Sequence, residues 1–264
     1  MKIDLDNVLS IAQFAAIKAG DFALEKFTRA HILKQKPITK DVFTTVDIEC
    51  EKIILRVLKT NFPEHTIVTE ERSLPKNLDN YIWWIDPLDG SVSYIFNLPY
   101  WGVCIALIQK SEPIIAVSYF PQTRDLYWAK KDGGAFKNYK RIFVSEHEKL
   151  TDGIFGIDYG YLGEREEGVK DVTYKVSDRV KYLVTYACTA GAIALVAEGK
   201  LAGYIHHMAR RFDLAAGALL VTEAGGKVSD THGVPIDWRD TNPVHFVSTN
   251  GKIHNKLIKL LKKS

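Results

Sequence analysis

The chain has 264 residues, 46% hydrophobic and 25% charged, with a formal net charge of +3. That is ample for a large core in one domain or two closely packed halves, and the charge balance gives no argument for a nucleic-acid partner. No charged-then-apolar leader opens the sequence, and no apolar run reaches the ~20 residues of a membrane span. The three cysteines, Cys50, Cys104 and Cys188, are far apart and odd in number. They suit neither a zinc pattern nor a disulfide framework, and read as buried thiols in a reducing cytoplasm.

In chain order, Val8, Ile11, Ala12, Ala15, Ala16, Ala19, Phe22 and Ala23 recur at helical spacing and predict an amphipathic helix over residues 4–27. Residues 31–46 are polar and Lys-rich around Pro37, a loop or hairpin in which Lys34 and Lys36 are substrate-side charges or plain surface. A second helix carries Ile48, Ile53, Ile54, Val57 and Leu58 inward and ends before Asn61-Phe62-Pro63. Strands over 101–109, 113–120 and 125–130 follow one another so closely that they read as an antiparallel meander. Beyond a boundary near 138–150, strand-like runs at 153–157 and 181–186 alternate with a helix of small residues over 187–198. Then come the strand Gly203-Tyr204-Ile205, a helix from Asp213 to Ala224, the strand-like His245–Ser248 and a Lys-rich final helix. Such alternation implies a more nearly parallel sheet.

Chemistry concentrates where apolar runs end. Tyr81-Ile82-Trp83-Trp84-Ile85 reads as a buried strand and runs into Asp86-Pro87-Leu88-Asp89-Gly90-Ser91, placing two carboxylates at its mouth. Unpaired buried charge is costly, so the acids imply either an ordinary Asp-Pro-x-Asp-Gly turn or a cation. Pro87 stops ladder pairing and bends the chain, which frees the Leu88 carbonyl as an oxygen ligand. Oxygen donors without Cys or His suit Mg²⁺. Three more acidic positions keep them company: Glu70-Glu71 after Thr66-Ile67-Val68, Asp47 after Val42–Val46, and Asp213 in Phe212-Asp213-Leu214-Ala215-Ala216-Gly217. Taken singly, Asp213 reads as a helix N-terminal acid and Asp47 as a helix cap. His206 and His207, adjacent on a strand, point to opposite faces and make a poor chelating pair. Arg210 and Arg211 could neutralise local carboxylates or contact a second phosphate.

These segments, together with Gly133-Gly134-Ala135-Phe136 and Glu223-Ala224-Gly225-Gly226-Lys227-Val228, resemble in order and separation the inositol monophosphatase family of Mg²⁺-dependent, Li⁺-sensitive phosphatases. The resemblance covers most of the chain. It implies a layered α/β (α+β) sandwich, αβαβα. Residues 1–140 would form an antiparallel-sheet half carrying most metal ligands. Residues 141–264 would form a mixed, mostly parallel half carrying Asp213 and substrate-side residues. It also implies a cytoplasmic homodimer with no membrane or nucleic-acid partner. Two to three Mg²⁺ ions would be held by Glu70, Asp86, the Leu88 carbonyl, Asp89 and Asp213. Asp47, Glu70 and Ser91 would be catalytic, Ser91 holding the attacking water with Asp47 behind it. Asp89, Gly90, Ser91, His206 and Asp213 would contact substrate. Attack would be direct and in line, with no phosphoenzyme.

The departures from the family pattern bear on substrate. His206 stands where inositol-directed members carry a Glu that contacts a ring hydroxyl, Phe212 where Trp is usual, Ser91 for Thr, Ser93 for Asn and Thr69 for Gly. Inositol monophosphate is the expected substrate. Fructose 1,6-bisphosphate is the alternative, since His206 with Arg210 and Arg211 would suit a more anionic molecule. Adenosine 3′,5′-bisphosphate ranks third, because Val92-Ser93-Tyr94 lacks the Lys of those members. A regulatory protein binding RNA or the transcription machinery is the reading from another class.

Overall fold

The computed structural model describes residues 3–28, 33–35, 42–70, 80–160, 163 and 165–262. Lys36 and Glu71 lie outside the described residues, as does the side chain of Lys34. Helix α1 (Leu5–Lys26) starts at Asp4, whose carboxylate accepts from the Asp6 and Asn7 amides. Its Val8, Ala12, Ala15, Ala16, Ala19 and Ala23 form the buried stripe. Strands β1 (Leu33–Gln35) and β2 (Val42–Thr44) pair antiparallel, so the Lys-rich stretch includes a hairpin. Helix α2 (Thr45–Asn61) follows directly.

The first sheet has seven strands in sequence order: β3 (Thr66–Thr69), β4 (Tyr81–Asp89), β5 (Gly102–Gln109), β6 (Glu112–Phe120), β7 (Asp125–Lys130), β8 (Gly134–Lys137) and β9 (Lys140–Arg141). Between β4 and β5 lies the short helix α3 (Ser91–Ile95). All neighbours pair antiparallel except β3 and β4, which are parallel. Side-chain alternation sorts the core. Trp83, Ile85, Val103, Ile105 and Leu107 pack on α1 and α2, while Ile82, Trp84, Cys104, Ala106 and Ile108 face the other way.

The second sheet contains β10 (Ile154–Asp158), β11 (Tyr182–Val184), β12 (Gly203–Ala209), β13 (Lys227–Asp230) and β14 (Val244–Thr249), in the order β11-β10-β12-β14-β13. Strands β10–β11 and β10–β12 are parallel, whereas β12–β14 and β13–β14 are antiparallel. The sheet is thus evenly mixed rather than mostly parallel. The reason is β13, a strand hidden in the sequence behind Gly225-Gly226, which pairs antiparallel with β14. A helical stretch the periodicity also hid, α4 (Arg165–Gly168), a π turn and α5 (Tyr174–Val176), covers the outer face with α8 (His254–Leu261).

Helices α6 (Thr189–Ala197) and α7 (Arg211–Glu223) lie between the two sheets. A helix walled on both sides cannot keep a polar face, and both are built from Ala, Gly, Leu and Val. Gly217 lets them touch: a Cβ there would meet Ile193 Cγ2 at 2.5 Å. The layers therefore run α1/α2, seven strands, α6/α7, five strands, α8 with α4 and α5. Cys50, Cys104 and Cys188 are free and buried.

Candidate active site

Strand β4 does not end at Ile85 as its sequence suggests; it continues to Asp89 through a bulge. Asp86 pairs with Cys104 and Asp89 with Gly102, so three steps on β4 match two on β5. In a regular strand, residues three apart face opposite ways. The extra residue returns Asp89 to the face of Asp86, and Pro87, which has no N–H to lose, sits inside the bulge. The Leu88 amide donates to Asp86 Oδ1 at 2.9 Å, closing the turn. Both carboxylates are buried and face the α6/α7 layer.

The first turns of those two helices meet them. Asp89 accepts from the Thr189 amide at 3.2 Å, the Ala190 amide at 2.9 Å and the Cys188 thiol at 2.9 Å. It therefore caps α6 from a hundred residues away, a task that Cys188 in the cap position does not perform. Asp213 occupies the first turn of α7. Glu70 follows β3, whose Thr69 pairs with Ile85, and so lies alongside Asp86. Burial first, then the charges of Asp213, Asp89 and Glu70, push the Asp86 carboxyl well above the usual range. Burial lifts Asp89 to about 6 against its three hydrogen bonds. The charges that act most on Asp86 are other carboxylates, which is the setting a hard cation satisfies. Among the described residues no three His, Cys, Asp or Glu groups already form a metal cage. The four carboxylates are near enough to act on one another and offer only oxygen donors, so the donor set fits a hard divalent ion.

Gly90 connects Asp89 to Ser91 with φ 83°. Ser91 Oγ lies 2.8 Å from both Asp47 Oδ1 and the Leu88 carbonyl oxygen. A hydroxyl has one proton, so it can serve only one acceptor; when Asp47 takes it, the Leu88 carbonyl is free for another partner. Asp47 is both things the sequence allowed. It forms the capping box of α2, accepting from the Thr44 amide and hydroxyl at 2.8 and 2.7 Å, and it reaches Ser91. Burial raises its carboxyl despite these bonds.

His206 and His207 diverge as expected. His206 packs against Tyr204 on the inner face, with ring centroids 6.0 Å apart, whereas His207 meets His245 in a tilted contact at 4.6 Å. Met208, at φ 58°, marks the bulge that follows. Arg211 turns away from the acidic cluster: it is buried, bonds the Asp237 and Asn242 carbonyls and pairs with Asp240 at 3.0 Å. That removes it from the list of anion contacts.

Sequence reasoning missed Asp158 and Cys188. Asp158 closes β10 as Asp86 interrupts β4, an acid at the end of an apolar run, and that signal was there to be read. Its charge acts on Asp89, Tyr204 and His206. Cys188 lay in a segment with no polar pattern to mark it.

A model of the inositol monophosphatase family matches residues 4–264. A curated relative from Aquifex aeolicus, named fructose-1,6-bisphosphatase/inositol-1-monophosphatase, is 31% identical over 271 residues, 98% of this chain and 97% of its own. The Nus factor SuhB of Escherichia coli is 32% identical over 229 residues, covering 86% of each. The crystal structure of the extragenic suppressor protein suhB from Bartonella henselae superposes with a TM-score of 0.90 at 28% identity, covering 98% of this chain and 99% of that one.

Proposed function

Because the chain belongs to the inositol monophosphatase family of phosphatases, we propose that it is a Mg²⁺-dependent phosphate monoester hydrolase acting on a small phosphorylated polyol, inositol monophosphate first. The observation that carries this reading is the bulge in β4, which puts Asp86 and Asp89 on one face, against the helix that carries Asp213 in its first turn. Glu70, Asp86, the Leu88 carbonyl, Asp89 and Asp213 would hold two to three Mg²⁺ ions. Bound there, the ions would lower the pKa of a water and neutralise charge on the leaving oxygen. Ser91 orients the attacking water, and Asp47, 2.8 Å from its Oγ, takes or directs the hydroxyl proton. The backbone N–H groups of Gly90 and Ser91, at the start of α3, would hold the phosphate. Asp89 keeps α6 in place while serving the site, so the same carboxylate builds the wall and works in it.

The reading extends to Li⁺ inhibition, a cytoplasmic location and a homodimer. Val92, Phe96, Leu98 and Tyr100 are exposed beside the site and offer apolar surface for a second copy. Among the described residues, no helix is long and apolar enough to cross a membrane.

Phosphate release from inositol 1-phosphate, fructose 1,6-bisphosphate and adenosine 3′,5′-bisphosphate tests the proposal, each with Mg²⁺, with EDTA, and with Mg²⁺ plus Li⁺. Release from inositol 1-phosphate that needs Mg²⁺ and falls with Li⁺ is the expected result. Equal release in EDTA would overturn the metal assignment.

A second reading, regulation through RNA, is favoured by a basic groove on the far side of the molecule. Lys149, Lys175, Arg179, Lys256 and Lys259 line it, with Asp178 the one acid among the described lining residues, and Tyr174 stands beside them three-quarters exposed. Single-stranded RNA would find both phosphate contacts and a stacking surface there. On this reading, filter binding persists at ~0.15 M salt and weakens steeply when Lys256 and Lys259 are both replaced by Glu. Binding that vanishes at that salt, or ignores the double substitution, would leave the phosphatase reading alone.

A further inference from the structure

The substrate-side wall is built at the carboxyl ends of two parallel strands, the place where open α/β sheets receive ligands. Asp158 ends β10 and pairs in register with His206 of β12. Phe155 and Ile157 pack into the outer core, so alternation turns Asp158 inward, as it does Tyr204 and His206. Tyr204 reaches Thr189 Oγ1 at 3.4 Å, next to the amides that hold Asp89. Asp158 stands beside His206 across the parallel pair, and its charge acts on His206 and on Asp89 alike.

The hydrogen-bond polarity of this wall follows from two contacts. His206 Nδ1 lies 3.0 Å from the His207 carbonyl oxygen. A carbonyl can only accept, so Nδ1 carries the proton and the neutral ring presents Nε2 as an acceptor. Burial, opposed by the Asp158 charge, lowers the ring's pKa and keeps it neutral. Asp158 Oδ1 accepts from the Tyr159 amide at 2.8 Å; among the described residues its other oxygen has no hydrogen-bond donor. Asp158 and His206 Nε2 therefore offer acceptors and one negative charge. Sugar and polyol hydroxyls donate to such a surface. A second phosphate, which has only acceptors and negative charge to give, does not.

We propose that Asp158 is a specificity-determining residue that, with His206 Nε2, accepts hydroxyl hydrogen bonds from the uncharged body of a polyol monophosphate and repels a second phosphate. This rests on the phosphatase reading above and reverses the expectation that His206, with Arg210 and Arg211, suits a bisphosphate.

The test is kcat/KM for inositol 1-phosphate and fructose 1,6-bisphosphate in the parent and in Asp158→Asn, with p-nitrophenyl phosphate on the parent alone. Asn keeps the oxygen that accepts from Tyr159 and is the same size, so the strand end stays intact. A charged hydrogen bond is worth enough that the polyol kcat/KM should fall about tenfold, mostly through KM. The bisphosphate kcat/KM should rise, and movement in opposite directions cannot come from damaged folding. A ratio of the two substrates that stays constant, or a parallel fall in both, would overturn the role of Asp158 while leaving the phosphatase reading standing. A parent that releases no phosphate from p-nitrophenyl phosphate or either ester would overturn both.

Discussion

Asp86→Asn is expected to abolish phosphate release, by at least about a thousandfold, and to give a protein that melts higher than the parent in EDTA. The two effects share one cause. The Asp86 carboxyl is buried, and the charges around it are those of Asp213, Asp89 and Glu70. Without a cation it costs stability, because a buried charge facing like charges is neither hydrated nor paired. Asn keeps the oxygen that accepts from the Leu88 amide and removes the charge, a gain of about 1–3 kcal/mol, or several degrees in Tm for a chain of this size. With Mg²⁺ the order inverts. The parent gains stability as the ion binds, following the ratio of concentration to Kd, and the variant, missing one of the carboxylates proposed to hold the ions, gains little. Activity goes because charge neutralisation in metal-assisted phosphoryl transfer supplies several kcal/mol. The check is melting with and without Mg²⁺ beside phosphate release. A variant that turns over at the parent's rate would sink the role of Asp86 in holding metal; one that melts lower than the parent in EDTA would show that the carboxylate is paired in a way the cluster does not suggest.

Legibility differed between the parts of this molecule for physical reasons. Helix α1 was plain because one face lies in a core and so carries a period, and strands β5 to β7 because turn residues punctuate closely spaced apolar runs. Helices α6 and α7 were visible as small-residue runs, yet their burial on both sides erases the period that would show which face meets which sheet. Strand β13 and the helical stretch from α4 to α5 are short, irregular and edge-like, and left no pattern. In the site, Asp86, Asp89, Glu70, Asp47 and Asp213 could be picked out because acids at the ends of apolar runs are conspicuous. What could not be read was their relation. The bulge that brings Asp86 and Asp89 to one face depends on pairing with β5, and the hold of Asp89 on α6 spans a hundred residues. Spacing alone also left Arg211 open between neutralising carboxylates and contacting a second phosphate, because its partners Asp237, Asp240 and Asn242 lie in a loop with no periodic signal.

Gly90→Ala is expected to damage fold and activity together, in contrast to Asp86→Asn. Gly90 has φ 83°, a conformation that costs an L residue about 1 kcal/mol before any contact is considered. A Cβ there would meet the Tyr100 carbonyl oxygen at 2.5 Å, the Ala187 carbonyl oxygen at 3.2 Å and Trp101 Cα at 3.2 Å. All three are backbone atoms, so no side chain can swing aside to make room. Tyr100 and Trp101 lead into β5, and Ala187 itself sits at φ 51° just before α6, which leaves neither segment slack. The chain must open between Asp89 and Ser91, at a cost of about 2–4 kcal/mol and a Tm lower by roughly 5–15 °C. Opening there moves Asp89 off the Thr189 and Ala190 amides and Ser91 off Asp47, and misplacement of about 1 Å in such a site costs on the order of a hundredfold in rate. Saturating Mg²⁺ should not restore the rate, since the fault lies in the backbone that aims the ligands rather than in their charge. Thermal melts and phosphate release across a Mg²⁺ series decide it. A variant with the parent's Tm and kcat would mean that the turn has room the distances deny, and recovery of activity at high Mg²⁺ would mean that Gly90 serves metal affinity alone.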